Sequence, residues 1–345
     1  MIQVIAAAVI WGLVLCILPG VRSRKDHTIL IAAVAIATAL SLNVDPIYLA
    51  GDALLGGRNL LDLCANVLMV VGIYSLSQAI LRAAEFNDAS VRRDGLGLTI
   101  LICVVVGLAA AFFSIEAPVS STRFMLDYGS QPAAALYSSI QFAYIGIVMG
   151  LTGYVCFRFR RRMATIHFRL AFTLIGIGCT LALIVVFAVL GMDIAHVLGD
   201  LGIMLRLTVA YDVSFVGAML FLCAGLALPP VARRISRRID VRTREGLLKS
   251  LTGIWEKATA NRKDIRLVMA ARGIERGDAS TRKLHRMLVE IQDALLMDPS
   301  AAELLDEADR QTVSRTEVFL ASHHSALGSR ISPAMWGRTR GIDDR

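Results

Sequence analysis

The chain has 345 residues, of which 56% are hydrophobic, and it carries a formal net charge of +8. Its mean hydropathy of +0.62 is too high for a soluble domain, in which apolar residues make up about half of the chain and long apolar runs are absent. The composition therefore excludes an ordinary soluble enzyme or binding domain and indicates an integral membrane protein.

Seven apolar stretches occupy the first 230 residues, and most approach the ~20 residues that a helix needs to cross about 30 Å of hydrocarbon. They cover residues 2–19, 28–43, 59–81, 96–114, 134–156, 168–191 and 203–228. The second has only 16 residues, so we expect it to extend toward Tyr48 with a bend at Pro46. Because a bilayer offers no water to backbone groups, each span has to be helical. We predict an all-α fold, a polytopic seven-transmembrane helix bundle in residues 1–230.

The basic residues predict the orientation of this bundle. Of the 14 Lys and Arg residues in the first 230, 11 lie in every second loop, beginning with the loop that contains Arg22, Arg24 and Lys25. Basic loops stay in the cytoplasm during insertion. We therefore expect a multi-pass protein of the cell membrane with its N-terminus outside and everything after Pro230 in the cytoplasm.

The six cysteines all lie within or beside the apolar stretches, and none is arranged as a CxxC pair. Such residues are typical small packing groups rather than a disulfide framework. We find no catalytic motif and predict no cofactor and no metal site. The adjacent His323 and His324 point in different directions on a helix, which argues against a shared metal ion, and we interpret Asp193 and His196 as a solvated loop pair. The absence of lysine from the last five spans excludes a retinal Schiff base.

Residues 231–326 are predicted to form a small cytoplasmic α-helical domain, followed by a disordered tail over 327–345. Residues 231–345 contain 22 basic and 16 acidic residues, and the excess follows the last span directly. Basic residues at this position attract anionic lipids of the inner leaflet, by about 1 kcal/mol per charge. We therefore expect lipid contact, and no nucleic acid, at the membrane-surface basic cluster. That cluster comprises Arg233, Arg234, Arg237 and Arg238, with Arg242 and Arg244 beyond it.

Apolar spacing predicts four helices in the cytoplasmic domain. They cover residues 231–260, 263–272, 281–297 and 300 to about 325. Ser280 or Asp278 is the expected N-cap of the third helix, and Ser300 with Glu303 forms the expected capping box of the fourth. The third helix places Leu284, Leu288, Ile291 and Leu295 in one apolar stripe.

Two segments of this domain resemble a family of actinobacterial membrane proteins. The first is Leu251-Thr-Gly-Ile-Trp255 followed by Asp264-Ile-Arg-Leu267, and the second is the stretch from Lys283 to Leu296. The second departs from the family signature at His285, Met287 and Gln292. The resemblance implies seven helices and a C-terminal cytoplasmic helical domain of unknown function. Members are commonly labelled transporters, and their context implies a regulator or peptidase as partner.

The signature leaves a candidate surface for a cytoplasmic protein partner. Its residues are Trp255, Arg286, Glu290 and Asp293. Arg286 and Glu290 are four residues apart on one helix face, where a local ion pair contributes a few tenths of a kcal/mol. A helix-packing role, partner docking and an active site are the alternatives, and the first two account for these residues without any catalytic motif.

Polar side chains recur in the outer halves of three predicted spans and form a candidate ligand pocket. They are Asp62 and Asn66 with Arg58 on the third span, Tyr137, Gln141 and Tyr144 on the fifth, and Arg206, Tyr211 and Asp212 on the seventh. Ionisable residues inside a bilayer are costly and are functional candidates by default. The alternative is structural, with Arg58 paired to Asp62, Arg206 directed toward the interface, and hydrogen bonds between helices.

Three functions fit these features. The first is a receptor-like sensor of a small or amphipathic extracytoplasmic ligand that signals through the cytoplasmic helical domain. The second is a small-molecule transporter, against which the odd number of spans and the absence of an inverted repeat argue. The third is a membrane scaffold for the cytoplasmic domain. We favour the sensor.

Overall fold

The computed structural model describes residues 2–19, 27–84, 90–163, 165–260, 276–298 and 303–328, and these form helices joined by turns. The chain divides into two compact units, Met1–Arg233 and Arg234–Arg345, close to the predicted boundary at residue 230. The predicted helix over 263–272 and nearly all of the predicted disordered tail lie outside the described residues.

The first unit contains nine helices within its described part. They are α1 (Ile2–Ile17), α2 (Thr28–Leu42), α3 (Asp45–Leu54), α4 (Leu60–Ala84), α5 (Ser90–Phe113), α6 (Phe124–Tyr128), α7 (Pro132–Phe159), α8 (Ile166–Leu198) and the first half of α9 (Leu201–Ala258). A short 3-10 turn, Arg160–Arg162, follows α7.

Five helices in the described part of the chain are long and apolar enough to cross a membrane. They correspond to α4, α5, α7, α8 and α9. A sixth span results if α2 and α3 are counted together, although they meet at 88°, and α1 is apolar but shorter. The structure therefore shows an all-helical membrane bundle, while seven spans and the direction of insertion stay predictions.

The turn between α3 and α4 is held by a buried polar cluster that the sequence did not predict. Asp52 accepts hydrogen bonds from the backbone amides of Asn59 (2.9 Å) and Leu61 (3.2 Å), which satisfies free N–H groups at the start of α4. Asn59 has a φ of 57°, and its side chain accepts from Tyr48 and donates to the Val119 carbonyl, both at 2.9 Å. The cluster thus joins the α3–α4 turn to the loop after α5.

The α4 and α7 helices run parallel and in register. Polar side chains pair across them at a constant separation of 75 residues, in Asp62 with Tyr137, Asn66 with Gln141, and Ser77 with Thr152. An equal separation for pairs at different heights requires two helices that run in the same direction without slipping.

Glycines bring α8 close to its neighbours. A Cβ on Gly225 would lie 2.6 Å from Ile175 Cγ1, and a Cβ on Gly178 would lie 2.7 Å from Leu222 Cγ. These pairs, and Gly191 near Leu207, show that α8 and α9 are antiparallel. Close approach through small residues is the usual packing of membrane helices.

The second unit is a helical cluster built from the end of α9 with α10 (Arg276–Met297) and α11 (Glu307–Gly328). Its core confirms the predicted apolar stripe, since Leu284, Leu288 and Ile291 are buried and Leu295 packs against them. The α9 helix contributes Leu251 to the same core.

Three boundary predictions were wrong. The α10 helix begins at Arg276, so Ser280 and Asp278 lie inside it rather than at its N-cap. The α11 helix begins at Glu307, and Asp306 accepts from the Asp309 amide at 2.7 Å as its cap. Glu303 lies in the preceding turn, and Ser300 lies outside the described residues. The span predicted over 203–228 and the helix predicted over 231–260 form one helix, α9, with Pro229 and Pro230 inside it.

Candidate functional site

A cavity of about 550 Å³ lies inside the first unit. Its walls come from α1, α2, α4, α7, α8 and α9, and most of its lining residues are apolar. Ligand sites in proteins are typically cavities of about 300–1,000 Å³ with predominantly apolar walls and a few polar groups. This cavity therefore has the size and the lining of a binding site for a small molecule or a single hydrocarbon chain.

The polar side chains of the cavity are concentrated toward one end, which we call the polar end. They are Gln3, Asn43, Asn66, Gln141, Tyr211 and Asp212. Asn43 caps α2, and Asn66 lies two turns into α4 at the height of Gln141 on α7. The contacts of Gly146 with Val186 and of Gly191 with Leu207 place Gln141 level with Leu207, so Tyr211 and Asp212 lie about one turn deeper. Below them the described lining is apolar as far as Leu226.

One wall of the polar end is a hydrogen-bond network between α4 and α7. Asp62 Oδ2 accepts from Asn66 Nδ2 and from the Tyr137 hydroxyl, each at 2.9 Å. Asn66 Nδ2 also lies 2.8 Å from the Tyr137 hydroxyl oxygen, and its Oδ1 accepts from Gln141 Nε2 at 2.9 Å. Tyr137 is only 1% exposed. The network holds the Asn66 and Gln141 side chains in fixed positions at the cavity surface.

The α9 wall of the cavity contains a carboxylate and two aromatic rings. Asp212 is half-buried, lines the cavity, and has neither an ion pair nor a hydrogen bond from any residue in the described ranges. Tyr211 and Phe215 stack with ring centroids 5.6 Å apart and an interplanar angle of 10°. This wall therefore offers a negative charge beside aromatic faces.

The structure brings four of the eight predicted pocket residues to the cavity: Asn66, Gln141, Tyr211 and Asp212. Asp62 and Tyr137 lie behind the wall as hydrogen-bond partners. Tyr144 does not line the cavity, because it is buried with α5 residues in a separate apolar cluster. Arg206 is exposed and also lies outside the cavity.

The alternative in which Arg58 pairs with Asp62 is wrong. Arg58 precedes α4, which begins at Leu60, so it does not share a helix face with Asp62, whose partners are Asn66 and Tyr137. The interpretation of Asp193 as a solvated loop residue is also wrong. It lies in α8 and accepts a hydrogen bond from the Ser138 hydroxyl at 2.6 Å.

Sequence reasoning missed the apolar half of the cavity. Its walls are ordinary span residues such as Ile36, Met69 and Leu222, which carry no pattern that separates cavity lining from helix packing. Asn43 and Gln3 were also missed, because each is an isolated amide near a helix end. The α1 and α2 helices contribute to the cavity only through the tertiary fold.

Of the four predicted docking residues of the second unit, Glu290 is buried, and Trp255, Arg286 and Asp293 are half-buried. Glu290 is 1% exposed and accepts hydrogen bonds from Trp255 Nε1 at 2.6 Å and from Arg286 Nε at 2.7 Å. The Arg286–Glu290 contact is the predicted i, i+4 ion pair. Glu290 is therefore unavailable to a partner protein, and it joins α10 to α9. Asp293 is half-buried on α10.

The basic cluster lies on α9. Arg233, Arg237 and Arg238 are exposed, and Arg234 is half-buried. The guanidinium of Arg233 lies 5.8 Å from the ring centre of Phe168, and its Nε donates to the Pro229 carbonyl at 3.3 Å. Long cationic side chains that cover apolar groups while exposing their charge are suited to a membrane surface.

Comparison with protein-family models, with curated proteins and with solved structures finds no match for this chain. The function is therefore argued from the cavity and the helices around it.

Proposed function

We propose that this chain is a receptor-like sensor of the cell membrane that binds an extracytoplasmic small or amphipathic ligand in the cavity of its first unit. The observation that carries the proposal is the continuity of α9. Its residues Tyr211, Asp212 and Leu226 line the cavity, and its residues Leu251 and Ile254 belong to the core of the second unit. A ligand that changes the position or the stability of α9 therefore acts on a helix that belongs to both units.

The polar end supports an extracytoplasmic ligand under the predicted orientation. With the N-terminus outside, the beginnings of α4, α7 and α9 lie in the outer half of the membrane, and the polar lining lies near those beginnings. Polar groups that fix a ligand's orientation and apolar walls that bind its remainder are the two parts of an ordinary ligand site. The second unit then transmits the signal by docking a cytoplasmic partner.

A cavity-filling variant tests the coupling without a known ligand. Ala218 lines the cavity and is 4% exposed. We expect Ala218→Phe to occupy part of the cavity and to slow amide hydrogen exchange in residues 247–258 and in α10. The expected effect is about fivefold or more, since allosteric coupling is typically about 1–3 kcal/mol. Mass spectrometry of the full chain in lipid nanodiscs measures it.

The matched control is Ala210→Phe, because Ala210 is exposed on the same helix and does not line the cavity. It should leave exchange in both segments unchanged. Equal exchange in the two variants would contradict the sensor and favour a scaffold. Uptake of a solute into proteoliposomes that is lost in Asp212→Asn would instead favour a transporter.

A further inference from the structure

The charge and the aromatic rings at the polar end restrict the chemistry of the ligand. Asp212 places a carboxylate at the cavity, and no cation within the described ranges neutralises it. Arg206, six residues earlier on α9, is exposed and makes no ion pair with it in that part of the chain. A carboxylate in a low-dielectric site is stable when a cation or hydrogen-bond donors compensate it.

The neighbouring aromatic pair favours a cation. Tyr211 and Phe215 both line the cavity and stack on each other one turn apart, on either side of Asp212 in sequence. Aromatic faces attract ammonium groups, and sites that combine them with a carboxylate are well suited to quaternary or primary ammonium. The amides of Asn66 and Gln141 complete the polar end, but they are engaged in the α4–α7 network.

The apolar part of the cavity limits the length and the volume of the rest of the ligand. From Asp212 to Leu226 the lining of α9 is apolar over 14 residues, or roughly 21 Å at 1.5 Å per residue. If a methylene occupies about the 30 Å³ of a water molecule, the cavity holds one chain of fewer than ~18 methylenes. Two acyl chains would exceed this volume.

We propose that the cavity binds a single-chain amphiphile with a cationic ammonium headgroup. The ammonium lies between Asp212 and the ring of Tyr211, and the alkyl chain extends past Met219 and Leu222 toward Leu226. This inference rests on the proposed function, and it names the chemical class of ligand that the sensor binds.

Photo-crosslinking of the full chain tests the proposal. The probe is hexadecyltrimethylammonium with a diazirine on its terminal carbon, added to the protein in maltoside micelles. We expect cross-links to Leu222, Cys223 and Leu226, at the apolar end of the cavity. Cross-links confined to the exposed Leu220 and Phe221 on the same helix would show partition around the protein only and would overturn the proposal.

Competition by unlabelled amphiphiles of equal chain length tests the headgroup. After correction for micellar partition, hexadecyltrimethylammonium should compete at least about tenfold better than hexadecanol or hexadecanoate, as expected for a charge-assisted contact. Asp212→Asn should remove this preference. Glu116→Gln should retain it, because Glu116 is an exposed acid outside the cavity. Equal competition by all three amphiphiles would overturn the cationic headgroup.

A second pair of variants keeps the test valid if Asp212→Asn does not fold. Tyr211→Phe keeps the aromatic face and should keep the preference for ammonium. Tyr211→Leu should weaken binding of the ammonium probe by about threefold while leaving hexadecanol binding unchanged. Identical behaviour of the two variants would count against the proposal.

Failure of this inference is distinguishable from failure of the sensor. Crosslinking reports binding alone, whereas the hydrogen exchange of residues 247–258 reports coupling. If the cavity prefers a neutral or anionic amphiphile, the proposed cationic headgroup is wrong, while the proposal of a sensor stands. If the ammonium probe binds specifically but the hydrogen exchange of residues 247–258 does not change, the proposal of a sensor is wrong, while the proposed cationic headgroup stands.

Discussion

Four polar side chains on α4 and α7 hold one another in place through hydrogen bonds. Asp62 is held by the amide of Asn66 and the hydroxyl of Tyr137, and Asn66 is held in turn by Gln141. The sequence predicted that these four side chains share one half of the bundle, because helical spacing gives the face and the charge pattern gives the direction. It did not predict their pairing, which depends on the parallel register of α4 and α7.

The Tyr137 hydroxyl is the group in this network that contacts both Asp62 and Asn66 from α7. In Tyr137→Phe, the half-buried Asp62 carboxylate loses one of its two donors, and Asn66 loses its contact with the hydroxyl. We expect the free energy of unfolding to fall by about 0.6–1.7 kcal/mol, as for interhelical hydrogen bonds in a membrane protein. Tyr154→Phe on the same helix is the control, since Tyr154 is 61% exposed.

Chemical denaturation of the purified chain in detergent, followed by far-UV circular dichroism, measures this loss. Interhelical hydrogen bonds in membrane proteins average only about 0.6 kcal/mol. Equal stability of the two Tyr→Phe variants would therefore mean that the network contributes orientation at the cavity but no stability.

At the scale of helices, α8 and α9 approach each other through glycines, and this approach forms one side of the cavity. A methyl group at Gly225 would meet Ile175 Cγ1 at 2.6 Å and the Ala171 carbonyl at 3.0 Å. The carbonyl belongs to the backbone of α8 and cannot rotate away. The Ile175 side chain and the two backbones would have to shift to make room.

We expect Gly225→Ala to lower the thermal midpoint of the first unit, because overpacking typically costs about 1–3 kcal/mol. The control is Gly12→Ala, which meets no atom within 4 Å on the described residues and should leave the midpoint unchanged or raise it. A thiol-reactive dye measures the transition, since unfolding exposes the buried Cys156, Cys179 and Cys223. A higher midpoint in Gly225→Ala would refute close packing at this position.

Most elements could be predicted from the sequence because length and apolarity determine a membrane helix. The predicted starts of α10 and α11 failed for a local reason. Ser280 and Ser300 are good caps in isolation, but the cap of α11 is Asp306, and the described part of α10 already begins at Arg276. Several residues in each stretch can cap a helix, and tertiary packing selects one of them.

For the whole molecule, the direction of insertion is the prediction on which the functional argument depends most. It comes from the distribution of Arg and Lys alone. The loop before α7 is predicted to lie outside and the turn after α7 to lie inside. Ser130 and Arg161 are exposed representatives of these two segments.

A cysteine placed in each segment tests the direction in intact cells. In a background without the native cysteines, a membrane-impermeant maleimide should label Ser130→Cys but not Arg161→Cys. Both should be labelled after the membrane is permeabilised, which controls for accessibility. The reverse pattern would put the polar end of the cavity on the cytoplasmic side.

The two consecutive prolines of α9 create a place where this helix bends easily. Pro229 and Pro230 have no amide hydrogen, so the carbonyls of Gly225 and Leu226 have no donor four residues later. A helix bends most readily where such bonds are missing. Leu226 also marks the apolar end of the cavity. The most easily bent part of α9 therefore lies next to the apolar end of the cavity. If the proposed amphiphile binds, the length of its alkyl chain would decide whether it reaches this part of the helix.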